Sequence, residues 1–579
     1  MRPYFEKMNP IGKPLTDGAR TRTADNVKAI QEEEQKVTEA VDKVLAAGIP
    51  PESIHKRGQL LATERIEKLI DPDSWRPLTS LYNPSFNAEN STGLICGLAS
   101  VEGKMCVVVA SDNKVMAGAW ISGQAENIAK IQDVAQNLNV PLVWVLNCSG
   151  VKLTEQEEVY AGRRSGGRAF FRHAEMNLAG VPVLAGVYGT NPAGGGYHGI
   201  SPTIMFAHQK ANIAVGGGGI VSGMSPKGHF DLEGAEALIE ATRRFKSEPP
   251  GGTAIHHGET GFFRTVHETE EEVLQMLRRS MAGMPAHDPF LFRVAEPAEP
   301  AYPAEDIYHL VPHRQKVTYD VEQVIARLVD GSEHMEFRPG YGPEIYTGLV
   351  KVDGFLVGVL ANRQGFLGKD YPKYAEGTYV GIGGKFYREG LIKCNEFVTH
   401  CGRDQVPLLW VQDTTGIDVG DIAERAELLG LGQSLIYSIE RSLVPMMAII
   451  LRKGSAAAHY IMGGPQANRN NAFTLGTGTT EVYVMHGETA ATAAFARRLV
   501  KEQDAGKDLQ PTIDKMNALA QEYYDKSRPI YSAQKGFVDE IVRMTELRRY
   551  LVSFARAAYQ NPHSICPHHQ MILPRIIKG

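Results

Sequence analysis

The sequence predicts an α/β protein built from two tandem, related halves, and three observations predict it. The first is a repeated phrase: residues 140–150 read VPLVWVLNCSG and residues 406–416 read VPLLWVQDTTG, identical at six of eleven positions. The second is the order of landmarks. VEGKMCVVVASDN (101–113), the first copy of the phrase and VPVLAGVYGTNPAGGGYHG (181–199) follow one another; so do VDGFLVGVLANRQ (352–364), the second copy and VPMMAIILRKGSAAAHYIMGG (444–464). A domain-sized period of this kind marks a duplicated architecture. The third is the alternation of short apolar runs with segments of helical period, the pattern of a largely buried sheet covered by helices.

Each element follows from its residues. In QAENIAKIQDVAQNLN (124–139) apolar side chains fall at 128, 131, 134, 135 and 138, a single helical stripe. REGLIKCNEFVTHCGRD (388–404) repeats that stripe ahead of the second VPLLWV run. Each half therefore reads as strand, helix, short apolar strand, polar turn, helix, strand, Gly/Ala-rich turn and helix. The Pro-rich stretch AEPAEPAYPAEDIYHLVPHR (295–314) reads as the linker between them. The chain beyond about residue 510 reads as helical and polar, an outer layer. The expected organisation is a helical extension over 1–60, a first domain over 61–300, a second over 301–560 and a tail over 561–579.

Composition excludes several classes of function. A chain of 579 residues is too long for one ordinary core. The net charge is only −5, and no Lys/Arg run carries interleaved aromatics, which argues against nucleic acid. The apolar run LVPMMAIIL (443–451) is about half a membrane span, and MRPYFEKMNP lacks a signal core. Six Cys in so long a chain read as reduced thiols, and the expected location is the cytoplasm.

Two turns in each half carry the chemistry. One follows the repeated strand: Asn147-Cys148-Ser149-Gly150-Val151 and Asp413-Thr414-Thr415-Gly416-Ile417. The other opens a helix: Ala193-Gly194-Gly195-Gly196 and Ala456-Ala457-Ala458-His459. Counted from the paired Val-Pro dipeptides, Gly194-Gly195 align with Ala457-Ala458. Gly and Ala leave backbone N–H groups open to close approach, and the first N–H groups of a helix have no partner within it. Two such donors converging from two turns make an oxyanion hole. Tight helix–strand packing also demands small residues, so each turn alone is ambiguous; the repetition favours two equivalent holes.

Other signals carry less. Gly194-Gly195-Gly196-Tyr197-His198-Gly199 fits G-x-G-x-x-G, but the first acid after it, Asp231, lies too far on for a dinucleotide site. Gly381-Ile382-Gly383-Gly384-Lys385-Phe386 lacks the Ser/Thr of a P-loop. His563, Cys566, His568 and His569 match no common zinc spacing, so no metal site is expected. Cys148 reads as a small buried thiol, and His198 and His459 as packed, hydrogen-bonded side chains.

At these turns the sequence resembles the carboxyltransferases of biotin-dependent enzymes, which carry an Ala-Gly-Gly turn in one half and a Gly/Ala turn in the other. The fold implied is two tandem crotonase-like domains of repeated ββα units. GTNPAGGGYH (189–198), QDTTGIDVG (412–420), KGSAAAHYIMGGPQ (453–466) and SICPHHQMILPR (564–575) resemble the sodium-pumping decarboxylase branch more than the carboxylases. Thr415-Gly416-Ile417 stands where the carboxylases have Pro-Gly-Phe. The resemblance implies transfer of the γ-carboxylate of glutaconyl-CoA to biotin, with release of crotonyl-CoA, in glutamate fermentation. It places the thioester oxygen on N–H groups of Val151 and of Gly194 or Gly195. It places the biotin ureido oxygen on Gly416 and Ala457 or Ala458, beside Thr415 and Ile417. For CoA the contacts it suggests are Ala117, Gly118 and Ala119, with Lys130, Arg163 and Arg164 toward phosphates. No Met-Lys-Met sequence occurs, so biotin is expected on a separate carrier. The partners implied are that carrier, a membrane-embedded Na⁺-pumping decarboxylase that would hold this chain at the inner face of the membrane, and a second copy of the chain, in a homodimer or higher oligomer with the site at the interface. The competing readings are a biotin-dependent acyl-CoA carboxylase β subunit and a non-catalytic acyl-CoA-binding scaffold.

Overall fold

The structure is a computed structural model that describes residues 7–160, 162, 165–196, 203–217, 229, 231–247, 249–284, 289–368 and 381–561. The chain divides into two compact units, Val41–Asp288 and Met1–Ala40 with Pro289–Gly579.

The first unit is built on a seven-stranded sheet. Its strands are β1 (Arg76–Leu78), β2 (Leu94–Val101), β3 (Lys104–Ser111), β4 (Leu142–Leu146), β5 (Val183–Val187), β6 (Ile204–His208) and β7 (Thr265–His267), in the order β7-β6-β5-β4-β3-β2-β1. The second unit holds a nine-stranded sheet. The short strand Asn9–Pro10 borders β8 (Glu333–Glu336), followed by β9 (Ile345–Val352), β10 (Phe355–Asn362), β11 (Leu408–Thr414), β12 (Met446–Ser455), β13 (Asn471–Gly476) and β14 (Glu540–Ile541); Glu481–Tyr483 pairs with the end of β12.

The repeat is visible in the hydrogen bonding. The hairpins β2–β3 and β9–β10 are antiparallel and turn through Glu102-Gly103 (φ 52° and 75°) and Asp353-Gly354 (φ 52° and 79°), the two left-handed residues that match strand twist. The helices α1 (Gln124–Leu138) and α2 (Gly166–Leu178) of the first unit correspond to α3 (Arg388–Asp404) and α4 (Leu428–Ser442) of the second. α1 ends on left-handed Asn139 and α3 on left-handed Gln405, and each hands the chain to a Val-Pro pair. Pro cannot donate to a ladder, so it fits the first residue of a strand, where its carbonyl still accepts. Pro141 O takes the Val107 N–H at 2.9 Å, and Pro407 O takes the Gly358 N–H at 2.9 Å. The duplicated phrase is thus one structural device: helix cap, strand entry, buried Trp, turn.

Both sheets are buried as their near-continuous apolar strands require. In the first unit Val108, Val143, Val145 and Leu184 pack with Val273, Leu277 and Met281 of the helix Glu270–Gly283. In the second, Leu360, Leu408, Trp410 and Met446 pack with Leu391, Phe397 and Ile439 of α3 and α4. Each such side chain contributes about 1.5–3 kcal/mol on burial. The expectation of a polar outer tail needs correction. The helix Gln510–Asp525 is largely exposed, but Leu547–Gln560 is core: Leu547, Leu551, Phe554 and Ala555 are buried, and Tyr559 stacks on Phe355 with ring centroids 5.0 Å apart. Its Arg residues mask that role in the sequence because they are paired, Arg556 with Asp353 and Arg548 with Asp330. No helix among the described residues is long and apolar enough to cross a membrane.

Candidate active site

In the first unit the chain leaves β4 at Leu146 and turns through Asn147–Val151. Val151 forms a parallel bridge with Trp120: the Trp120 N–H donates to Gly150 O at 2.7 Å and the Lys152 N–H to Trp120 O at 2.9 Å. This register turns the Val151 N–H to the opposite side, where it has no partner among the described residues. The second turn follows the short strand Thr190–Pro192. Ala193 sits at φ 51°, and a helical turn begins at Gly194.

The two glycines behind Ala193 are small for different reasons. A β-carbon on Gly195 would lie 2.5 Å from Cys148 O and 3.1 Å from its Sγ, so this residue must be glycine for the two turns to touch. Among the described residues, a β-carbon on Gly194 would meet nothing closer than 3.9 Å, the nearest atoms belonging to Phe170 and Trp120. Gly194 is the open position and Gly195 the packed one. A valine at 195 would break the turn contact itself and so could not report on the hole. Trp120 is the common wall, bridged to Val151, 4.0 Å from the β-position of Gly194 and stacked obliquely on Phe170 at 5.6 Å.

The second unit repeats this plan. Ala456, at φ 52°, opens the short helix α5 (Ala456–Ile461); Ala457 is exposed and Ala458 fully buried, the same open and packed pair. The preceding turn is anchored through the strand pair Lys385–Phe386 and Gly416–Ile417. The Thr415 N–H and hydroxyl both donate to Gly384 O, at 2.7 and 3.1 Å, and the Asp418 N–H donates to Phe386 O at 3.1 Å. Phe386 thereby stands to Ile417 as Trp120 stands to Val151. The Gly416 N–H, in contrast, reaches the Thr414 hydroxyl at 3.2 Å. Ile417, rather than Gly416, is the counterpart of Val151.

Of the remaining sequence candidates, Met116, Ala117 and Gly118 run through three left-handed residues (φ 49°, 53° and 73°). Gly118 is fixed by packing, since its β-carbon would lie 1.7 Å from Asn147 O, while Ala117 is exposed and Ala119 buried. Lys130 sets its ammonium 5.3 Å from the centre of the Tyr82 ring. Arg163, Arg164, His198 and the cluster from His563 to His569 lie outside the described residues. Burial pushes the Cys148 thiol up to about 12, the opposite of what a nucleophile requires. Burial also pushes His459 down to about 4; its Nδ1 lies 3.0 Å from Gln412 Oε1, and the Gln412 amide donates to the carbonyls of His459 and Met462. It is a neutral structural imidazole.

Sequence reasoning missed the side chains that hold these turns in place. Asn191, fully buried, accepts the Cys148 N–H on Oδ1 at 2.7 Å. Arg452 and Asp413 form a buried ion pair, Nε to Oδ2 at 2.7 Å, directly behind the second strand-end turn. Asn191 stood in plain view in GTNPAGGG as the one buried amide of a small-residue turn, but its partner lies 43 residues away. A cavity of about 420 Å³ opens beside Ala193 and Gly196, walled by Ile213, Val215, Pro250 and Phe262. Among the described residues no cluster of His, Cys, Asp or Glu is arranged to hold a metal.

Comparison with known proteins meets this geometry. The carboxyl transferase domain family matches residues 53–572. The chain is 56% identical to the glutaconyl-CoA decarboxylase subunit alpha of Acidaminococcus fermentans, over 99% of this chain and 97% of that protein. It is 27% identical to the biotin-dependent 3-methylcrotonyl-coenzyme A carboxylase beta1 subunit of Mycobacterium tuberculosis, over 85% and 87%. The fold matches the crystal structure of the geranyl-CoA carboxylase beta subunit of P. aeruginosa with a TM-score of 0.74 at 23% identity, over 93% and 95% of the two chains. A crotonase-like, two-unit α/β protein with this coverage belongs to the carboxyl transferase family.

Proposed function

We propose that this chain moves the γ-carboxylate of glutaconyl-CoA to biotin and releases crotonyl-CoA. The observation that carries the reading is the pairing, in each unit, of a strand-end turn with a small-residue helix start behind a left-handed alanine. In the first unit the residues 147–151 and 189–196 contain no Asp, Glu, Lys or His. These two turns are built to stabilise an oxyanion and themselves bring no acid or base. Loss of the γ-carboxylate as CO₂ needs such a site, because the dienolate left behind carries its charge on the thioester oxygen; carboxylation of the biotin ureido nitrogen then breaks its N–H bond, and that proton balances the one the γ-carbon takes up to give crotonyl-CoA. The N–H groups of Val151 and of Gly194 or Gly195 hold that oxygen, each donor lowering the barrier by about 3–4 kcal/mol. The apolar cavity beside Ala193 suits the chain of an acyl-CoA. CoA contacts fall to Ala117–Ala119, Lys130 and Arg163.

The second unit fits the acceptor. Exposed Ala457, with buried Ala458 and the turn Thr415–Ile417, forms a cradle where Ile417, in place of the Gly416 first expected, and Ala457 or Ala458 would hold the ureido oxygen of biotin. Biotin, on a carrier protein, supplies the ureido nitrogen that accepts the carboxyl group. The two units thus serve as acyl-CoA and biotin domains, with a membrane-embedded decarboxylase as the further partner. Phe171 and Leu178 on α2, and Leu429 and Tyr437 on α4, are each more than 60% exposed and apolar or aromatic, as faces covered by a second copy would be.

Purified chain supplied with free biotin should release crotonyl-CoA from glutaconyl-CoA. Turnover only with propionyl- or methylcrotonyl-CoA would instead favour a carboxylase β subunit, and binding without turnover a scaffold.

A further inference from the structure

The Asn191 carboxamide occupies a singular place. Its Oδ1 accepts the Cys148 N–H at 2.7 Å, and its Nδ2 lies 2.9 Å from Tyr188 O and 3.2 Å from both Gly189 O and Asn212 O. The side chain is wholly buried. Cys148 lies three residues before Val151 in one turn; Asn191 lies three residues before Gly194 in the other. The contact between the turns is closed a second time by Gly195 resting on the Cys148 carbonyl. Each of these hydrogen bonds of the amide goes to a main-chain atom, so the side chain ties one turn's backbone to the other's.

We propose that Asn191 is a positioning residue: it fixes the separation between the Val151 donor and the Gly194–Gly195 donors, and so sets the geometry in which the thioester oxygen is held. This rests on the reading of the first unit as the acyl-CoA site. An oxyanion hole works by preorganisation, and an error of about 1 Å in a donor costs on the order of 100-fold in rate. No other residue type serves equally. An aspartate would accept the Cys148 N–H, but when ionised it would turn negative charge toward three carbonyl oxygens. When protonated it would donate to one of them and restore part of the clamp.

The test compares Asn191→Asp and Asn191→Ala in the full chain, assayed with glutaconyl-CoA and free biotin from pH 5 to 8. Both variants should lose about 100-fold in kcat at neutral pH, with KM for glutaconyl-CoA changed less than about threefold, as for an interaction felt only in the transition state. Asn191→Asp should regain at least about tenfold, relative to wild type, as pH falls and its carboxyl protonates; Asn191→Ala should not. A purely structural clamp would lower stability without that recovery. Hydrogen exchange of the peptide spanning 147–151, which needs no substrate, should speed up in Asn191→Ala. Unchanged kcat, a loss confined to KM, unchanged exchange, or failure of both variants to fold at every pH would each overturn the proposal. Inactivity of the wild type would instead count against the acyl-CoA reading, while the exchange experiment still judges the clamp.

Discussion

The two units make the same junction by different means. Counted from the Val-Pro pairs, Cys148 corresponds to Thr414 and Asn191 to Gly454. In the second unit β12 runs on to Ser455, and Thr414 and Gly454 pair directly in the β11–β12 ladder after a bulge between Gln412 and Thr414. In the first unit β5 stops at Val187, Gly189 turns the chain away at φ 57°, and a side-chain amide spans the gap that the ladder leaves. Gly454 could not carry an asparagine, because the His459 ring lies 2.8 Å from its β-position. Main-chain pairing tolerates many side chains; an amide clamp tolerates one. The lesson is that equivalent site geometry in a duplicated fold need not be encoded at equivalent residues.

Breaking the second junction should have the largest effect on stability. Arg452→Met removes the nearer of two cations from the buried Asp413 carboxylate and leaves Lys453 Nζ 3.5 Å from Oδ1, which should cost on the order of 3 kcal/mol in denaturant unfolding. The open position of the first unit gives a large effect of a different kind. Gly194→Val should lower kcat by about 100- to 1,000-fold with the melting temperature little changed, since no described residue comes within 3.9 Å of its β-position. An equal loss from a shifted melting temperature would mean that this side is packed after all.

These contrasts show what the sequence could and could not reveal. The repeated phrase, the helical stripes of α1 and α3, and the small-residue turns were legible because each is a local pattern with one dominant physical cause. The distinction between Gly194 and Gly195 was not, because it depends on Cys148, which is distant in sequence. The alignment already set Ile417 opposite Val151, but not that the Gly416 N–H is taken up by the Thr414 hydroxyl, which depends on how the turn folds. Asn191, Arg452 and Gln412 act through partners some 40 or more residues away. The burial of Leu547–Gln560 was hidden because Arg548 and Arg556 read as surface charges until Asp330 and Asp353 are seen beside them.

Smaller effects sharpen the comparison further. His173 in the first unit and His459 in the second are both buried and pushed down to about 4. The unfolded imidazole takes its proton near pH 6.5, so stability from these groups is complete above that value and falls as pH drops toward 4. Each should contribute a loss of about 2 kcal/mol between pH 7 and 5. His459→Gln should flatten its share of the slope in urea unfolding measured at several pH values; an unaltered slope would remove the histidine from the account. The smallest effect is expected at the β9–β10 turn. Burial opposes ionisation of Asp353, yet its bonds to Arg556 and Arg293 hold the carboxyl below the usual range. That contribution is present above about pH 4 and is lost as pH falls through the depressed value. Arg556 is half exposed, so Arg556→Met should cost no more than about 1 kcal/mol at neutral pH and less in acid.

In the function proposed, the first unit holds the thioester oxygen and the second the acceptor. A crystal structure of the chain with glutaconyl-CoA tests it most directly. The thioester carbonyl oxygen should lie within about 3 Å of the Val151 N–H and of the Gly194 or Gly195 N–H, beside Trp120. A thioester seated instead at Thr415–Ile417 and Ala457, or one whose oxygen turns away from both first-unit turns, would contradict it.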